Sequence, residues 1–347
     1  MTSKSLFAAF TVASMAFATA CNDTNDMPSE PSEEALVFAV GDDEGATTTL
    51  SIKEFKVWAY ENTEWGRGPL IMRDIIVTRT GINRWQYTPA VEWPQNKVNF
   101  YAISPSNLTM HDEWHRFTFN YTNQSQGAAG EAFRSSDVDI LASTRIGADQ
   151  SSGRIRLNFR HILAQIMVYL RTDLPENLDV RVAYLGIAGR AEGTFFWPEE
   201  NTTHNTGDDS LIDNWTIWNS NLPPFTVFQP EGGAYISLGL ETFSTAPNGK
   251  FFVPHRLSPF IQDPYIHGSY FIVAYRIVDT ESGETVWPQN DNKDRWEYNN
   301  DYGVTRLDLK TNTPDGTWYP GRRYRYTITL DIPSRSQPKV SVNIENI

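Results

Sequence analysis

The sequence predicts an all-β protein built from antiparallel sandwiches, and three observations carry that prediction. Short stretches alternate apolar and polar residues with period two, the mark of a strand with one wet face. Gly, Pro, Asn and Asp break the chain at short intervals, with 22 Gly and 20 Pro in 347 residues, as a sandwich of many short strands requires. No long stretch carries a capped helical stripe. The aromatic content of 13 % agrees, because flat side chains fit a pleated surface. At 40 % hydrophobic residues the bulk of the chain can bury a core, and its length leaves room for two domains.

Taken in order, residues 1–20 read as a lipoprotein signal peptide. Lys4 supplies the positive start, and Leu6 to Ala20 is uncharged but short for a membrane span. Ala18-Thr19-Ala20-Cys21 resembles a lipobox. Small residues there let a peptidase reach the bond between Ala20 and Cys21, whose thiol then takes a diacylglyceryl group. Cys21 is the one cysteine, so no disulfide forms within the chain. Each buried methylene of an attached lipid contributes about 0.8 kcal/mol. Residues 21–33 follow as an acidic flexible tether containing Pro and Ser.

An N-terminal sandwich is expected over 34–150. Glu34 to Val40 reads as its first strand, and Val98 to Ile103 is apolar on both faces, as a central strand would be. Ser135 to Gly153 is polar and turn-rich, which places the junction near residue 150. A C-terminal sandwich is expected over 151–347. Ile155, Leu157 and Phe159 are apolar at odd positions, whereas Ile162, Ala164, Ile166, Val168 and Leu170 are apolar at even ones. The one-residue slip at Arg160-His161 predicts a β-bulge, with a short helix over 159–166 as the competing reading. Ser269 to Val278 is apolar on both faces. Tyr324, Tyr326, Ile328, Leu330 and Ile332 alternate with polar residues, and Val340, Val342 and Ile344 repeat the pattern after a turn bracketed by Pro333 and Pro338.

Several chemistries are absent or weakly signalled. A net charge of −13 argues against nucleic-acid binding, which needs phosphates neutralised. There is no Gly-x-Ser-x-Gly nucleophile elbow and no phosphate-cradling Gly-rich loop with Lys. His111 and His115 lie four apart, but the acid between them is misplaced for a zinc-protease helix, and in a strand the two sit too far apart to chelate easily. No cofactor or metal is expected. Trp197, Trp215 and Trp218 fall in a polar, insert-like region, Gly193 to Asn221, where exposed rings would stack on sugars. The competing reading is that they cap a sandwich end.

Segments across the chain carry a family resemblance. They are Phe55-Lys56-Val57-Trp58-Ala59-Tyr60, Trp85-Gln86-Tyr87-Thr88-Pro89, Trp93-Pro94 and Val98-Asn99-Phe100-Tyr101-Ala102-Ile103-Ser104-Pro105. Asp139-Ile140-Leu141-Ala142 follows, then Leu157-Asn158-Phe159-Arg160-His161-Ile162-Leu163-Ala164, and Gly321-Arg322-Arg323-Tyr324-Arg325-Tyr326-Thr327-Ile328 closes the series. In this order and behind a lipobox, they resemble the fimbrillin family of Bacteroidetes pilus components. The acidic residues after Cys21 likewise resemble those of surface lipoproteins in such bacteria. The resemblance implies two tandem transthyretin-like β-sandwiches with Greek-key-type topology and a structural or adhesive, non-enzymatic role. It implies a lipid-held place at the outer membrane and cell surface. It also implies partners that are other pilus subunits or host and microbial surface ligands, joined by strand donation.

One departure shapes the expected role. Polymerising members of the family resemble one another in a Thr-Arg-Ala segment after the first strand, where an Arg-specific protease cuts. Glu44-Gly45-Ala46-Thr47 stands there in this chain, and no Lys or Arg occurs from Ser5 to Ile52. The first strand is therefore expected to stay in place, which favours an anchor or accessory subunit over a shaft subunit. Lys339 to Ile347 reads as the last strand of its own sheet or as a donated strand. The alternative function is a monomeric glycan-binding surface lipoprotein of an outer-membrane uptake system; a β-sandwich hydrolase is a third.

Overall fold

A computed structural model describes residues 35–41, 52–63, 66–113, 116–122, 133–134, 136–190, 192–202, 210–218, 224–231, 234–238, 243–244, 249–262, 265–289, 294–333 and 338–347. Among them the secondary structure is β apart from short 3₁₀ turns such as Gln150–Ser152, Ser210–Asn214 and Pro314–Gly316. This is the all-β architecture that the period-two pattern predicts.

The N-terminal half is built around one six-stranded antiparallel sheet. Its order is Arg160–His161, Leu141–Ala148, Val98–Ser104, Glu54–Thr63, Gly66–Gly81 and Arg84–Gln86. Successive side chains of a strand point to opposite faces. Phe55, Val57, Ala59, Val98, Phe100 and Ala102 therefore enter one core, while Trp58, Tyr60, Tyr101 and Ile103 enter another. Val98–Ser104 is buried along its whole length, as its two-faced apolar pattern predicts. The first face is covered by a parallel pair, Phe38–Val40 with Ile155–Leu157. The second is covered by a sheet of Trp215–Ile217, Glu192–Phe196, Arg116–Thr122 and His111–Glu113, with Phe133–Arg134 beside it.

The C-terminal half is a sandwich of two sheets. Leu178–Ala188, Tyr270–Asp279 and Asn299–Asp308 form the middle of a seven-stranded sheet. Opposite lie Ala164–Thr172, Arg322–Leu330 and Lys339–Asn346. Inward residues from both, among them Val168, Leu170, Val180, Leu185, Val273, Tyr326 and Ile328, make a single core. Two core tyrosines keep their hydroxyls satisfied, as buried polar groups must be. Tyr324 Oη donates to Thr317 O at 3.1 Å, and Tyr326 Oη accepts from Trp318 Nε1 at 2.8 Å.

The phase slip at Arg160-His161 is neither a bulge nor a helix. Ile155, Leu157 and Phe159 belong to the core under the first strand. Ile162 and Leu163 belong to the core on the other side of the six-stranded sheet. Ala164, Ile166, Val168 and Leu170 belong to the C-terminal sandwich. Arg160–His161 pairs briefly with Leu141 and Ala142 on the way. The chain changes sheets there, and each sheet imposes its own inward direction.

Candidate assembly site

The first strand occupies a groove, and its sequence explains how. Alternation in Ala35-Leu36-Val37-Phe38-Ala39-Val40 sends Leu36, Phe38 and Val40 inward, where they are 2 %, 1 % and 6 % exposed. The Phe38 ring meets Phe55, Tyr87 and Phe100 edge-on, with centroids 5.8, 5.5 and 5.8 Å away. Such edge contacts add about 0.5–1.5 kcal/mol each beyond area burial. Burying three side chains of this size contributes on the order of 6 kcal/mol.

Backbone bonds fix the register. Leu36 N donates to Val91 O at 2.8 Å, Ile155 N donates to Val37 O at 2.7 Å, and Gly41 N donates to Leu157 O at 3.1 Å. Tyr87 Oη donates to Leu36 O at 2.9 Å and accepts from Val91 N at 3.4 Å. Burial pushes the Tyr87 phenol up, and the Val91 N–H opposes part of that rise. Gly41, at φ 84°, ends the strand in a conformation that suits glycine. Without this segment, Phe55, Tyr87 and Phe100 would line an open apolar furrow beside unpaired amides of Ile155–Leu157, a surface that strongly favours a replacement strand.

At the other end of the chain, Lys339–Asn346 is the outermost strand of its sheet. It pairs antiparallel with Arg322–Leu330 from Thr329↔Lys339 to Arg322↔Asn346. Glu345 accepts from Arg323 at 2.6 Å and meets Arg325 at 2.8 Å, and Ile347 N donates to Gly321 O at 2.9 Å. It is the last strand of its own sheet. Val340, Val342 and Ile344 are only partly buried, unlike Tyr324, Tyr326 and Ile328. Among the described residues its outer edge has no partner strand.

Ala20, Cys21, Glu44 to Thr47 and His115 lie outside the described residues. His111 sits in a short strand, and among the described residues no group of His, Cys, Asp and Glu is placed to hold a metal ion. No described helix is long and apolar enough to cross a membrane.

The tryptophans expected to meet sugars are placed differently. Trp197 is buried, donates from Nε1 to Ala102 O at 3.2 Å and packs edge-on against Phe195. Trp215 is also buried and donates to Ile162 O at 2.8 Å. Their faces are taken up by the core, so neither is a stacking platform. Trp218 is half-buried and donates to Thr194 Oγ1 at 3.0 Å. The aromatics that do reach solvent include Tyr235 and Tyr298.

Comparison with known proteins gives one family. The model described as fimbrillin-like matches residues 42–245. A fimbrial protein from Bacteroides vulgatus has a TM-score of 0.56 at 14 % identity, covering 90 % of this chain and 99 % of that chain. The fimbrial anchor protein Mfa2 from Porphyromonas gingivalis gives 0.34 at 10 % identity, covering 90 % and 97 %. The tip fimbrial protein Mfa3 from the same organism gives 0.35 at 7 %, covering 85 % and 94 %. The first of these shares the fold. No curated protein matches the chain.

Proposed function

The chain belongs to the fimbrillin-like family, and from that premise we propose that it is a non-enzymatic component of a bacterial surface pilus, held at the outer membrane by lipid on Cys21. We read residues 1–20 as the export signal, residues 21–33 as the tether, and the folded remainder as two sandwiches over 34–150 and 151–347, the first of which also takes in Ile155–Leu157, Arg160–His161, Glu192–Phe196 and Trp215–Ile217 from beyond residue 150. The role we favour is that of an anchor or accessory subunit. The observation that supports it is the first strand seated in its groove, on a chain with no Lys or Arg between Ser5 and Ile52 at which a basic-site protease would free it. A subunit that keeps its own strand has no open groove to receive a neighbour's, so it would join a filament by an outer strand such as Lys339–Asn346. The reading as a monomeric glycan-binding uptake lipoprotein loses its support with Trp197 and Trp215 in the core.

Two experiments test the proposal. Cys21→Ala should move the protein from the membrane fraction to the soluble fraction on cell lysis; unchanged membrane partition removes the anchor. Incubating the purified protein with an Arg-specific protease should leave it monomeric by size-exclusion chromatography, whereas filament growth would show that the first strand is released after all.

A further inference from the structure

One strand of the six-stranded sheet leaves most of its outer edge bare. Gly66–Gly81 pairs with Glu54–Thr63 on one side. On the other, Arg84–Gln86 pairs only with Thr78, Arg79 and Gly81, so among the described residues the edge from 66 to 77 has no partner strand. Its sequence makes that a hazard. Leu70-Ile71-Met72 and Ile75-Ile76-Val77 are apolar runs, and Leu70 and Ile76 are 36 % and 48 % exposed. A bare apolar edge invites pairing with another chain. Between the two runs stands Arg73-Asp74, and there the ladder is broken. Val57 pairs with Ile75 and Ala59 with Met72, so Trp58 alone faces both Arg73 and Asp74, the arrangement of a β-bulge. Asp74 sits in the left-handed region at φ 53°. Met72 and Ile75 therefore reach the same core although they are three apart; unbroken alternation would send them to opposite faces. The bulge is fastened from the neighbouring strand. Trp58 Nε1 donates to Asp74 Oδ1 at 2.9 Å, Lys56 Nζ lies 3.5 Å from the same oxygen, and the Arg73 guanidinium lies 5.4 Å from the Trp58 ring centroid.

We propose that the bulge held by Asp74 is a gatekeeper: it closes this edge to other strands, above all to the same strand of a second copy. An incoming antiparallel strand needs donors and acceptors at regular spacing along the edge, and the extra residue breaks that spacing between the two apolar runs. The register shifts again between Ala59 and Tyr60 and between Tyr60 and Asn62, and Pro69 has no N–H to offer. Distortion is not general to edges in this fold, since Lys339–Asn346 pairs without any shift of register. The core does not require the extra residue either. Without Asp74, Met72 and Ile75 would stand two apart and still share a face. The closure follows from the edge itself and does not rest on the pilus reading. On that reading it has a use, because lipid-held copies crowd side by side at a membrane, where a bare apolar edge would pair.

Sedimentation equilibrium over a concentration series tests it, on the purified full chain carrying Cys21→Ala so that lipid does not itself drive association. Deleting Asp74 removes the extra residue and keeps the faces on either side. Asp74→Val keeps the length but puts a β-branched residue where the left-handed turn is needed. Both variants should self-associate, raising the weight-average mass to roughly twice the monomer value or more. The parent chain and Asp74→Asn should stay monomeric, because Asn tolerates the left-handed conformation and still accepts from Trp58. Ile76→Lys added to either associating variant should restore the monomer by charging the edge, which it would not do for a misfolded aggregate. Monomers from both the deletion and Asp74→Val overturn the proposal. So does association that Ile76→Lys leaves unchanged, or equal association by Asp74→Asn, which would assign the closure to charge and not to the bulge.

Discussion

His255 shows what burial does to a single titratable group. Its ring sits edge-on to Trp318 at 5.5 Å, and its Nδ1 lies 2.8 Å from Val253 O, a contact made by an N–H donating to the carbonyl. Its Nε2 is buried and has no hydrogen-bond partner among the described residues. Desolvation lowers its pKa from 6.5 to about 4; the Val253 carbonyl opposes the shift and the Arg190 charge adds to it. The unfolded chain therefore takes up a proton near pH 6.5, which the folded chain resists until about pH 4. Stability from this group is complete above pH 6.5 and falls as the pH drops toward 4, by up to about 3 kcal/mol. Urea midpoints measured at pH 7, 5 and 4 should show this slope, and His255→Gln should flatten part of it; an equal slope in the variant would refute the assignment. The sequence hides this residue. Pro254-His255-Arg256 looks like a solvated turn, and burial of the imidazole follows only from how Phe252 and Trp318 pack around it.

The first strand shows how one side chain can hold an element. It makes few ladder bonds, so most of its grip comes from Leu36, Phe38 and Val40. Phe38→Ala removes three edge contacts and leaves a cavity against Phe55, Tyr87 and Phe100. The expected cost is about 3–5 kcal/mol, read as a lowered urea midpoint. The variant should also expose the groove and gain affinity for a synthetic peptide of residues 35–41; a cost under about 1 kcal/mol would mean that the strand is held otherwise. Much of this level was legible in the sequence. The alternation of Tyr324 to Ile332 and of Val340 to Ile344 became the paired strands Arg322–Leu330 and Lys339–Asn346, and the two-faced run Ser269 to Val278 became the central strand Tyr270–Asp279. The slip at Arg160-His161 was equally visible, but a phase change says only that inward has changed direction. It does not say whether the strand has bulged or the chain has crossed to another sheet.

Across the whole molecule, strands distant in sequence close each other's cores. Residues Ile155–Leu157 pair with the first strand, and Glu192–Phe196 pairs with Arg116–Thr122. Ala164–Thr172 runs parallel to Arg322–Leu330, a pairing that needs a long crossover and here spans most of the C-terminal half. A fragment ending at residue 150 would lack part of the cover on each face of its six-stranded sheet, Ile155–Leu157 on one and Glu192–Phe196 with Trp215–Ile217 on the other, and its edge strand Arg160–His161. Expressed alone, residues 35–150 should aggregate or give a collapsed amide spectrum; a well-dispersed one would show an independent fold. The sequence by itself determined the all-β class, the strands with clear alternation, the absence of a basic site near the first strand, and the family, because each of these rests on local pattern or on order along the chain. Only the tertiary structure decided which tryptophans are core, where the chain changes sheets, and that the first strand is seated. Those are matters of which faces meet, and a period-two pattern marks a face as apolar without naming the surface that will cover it.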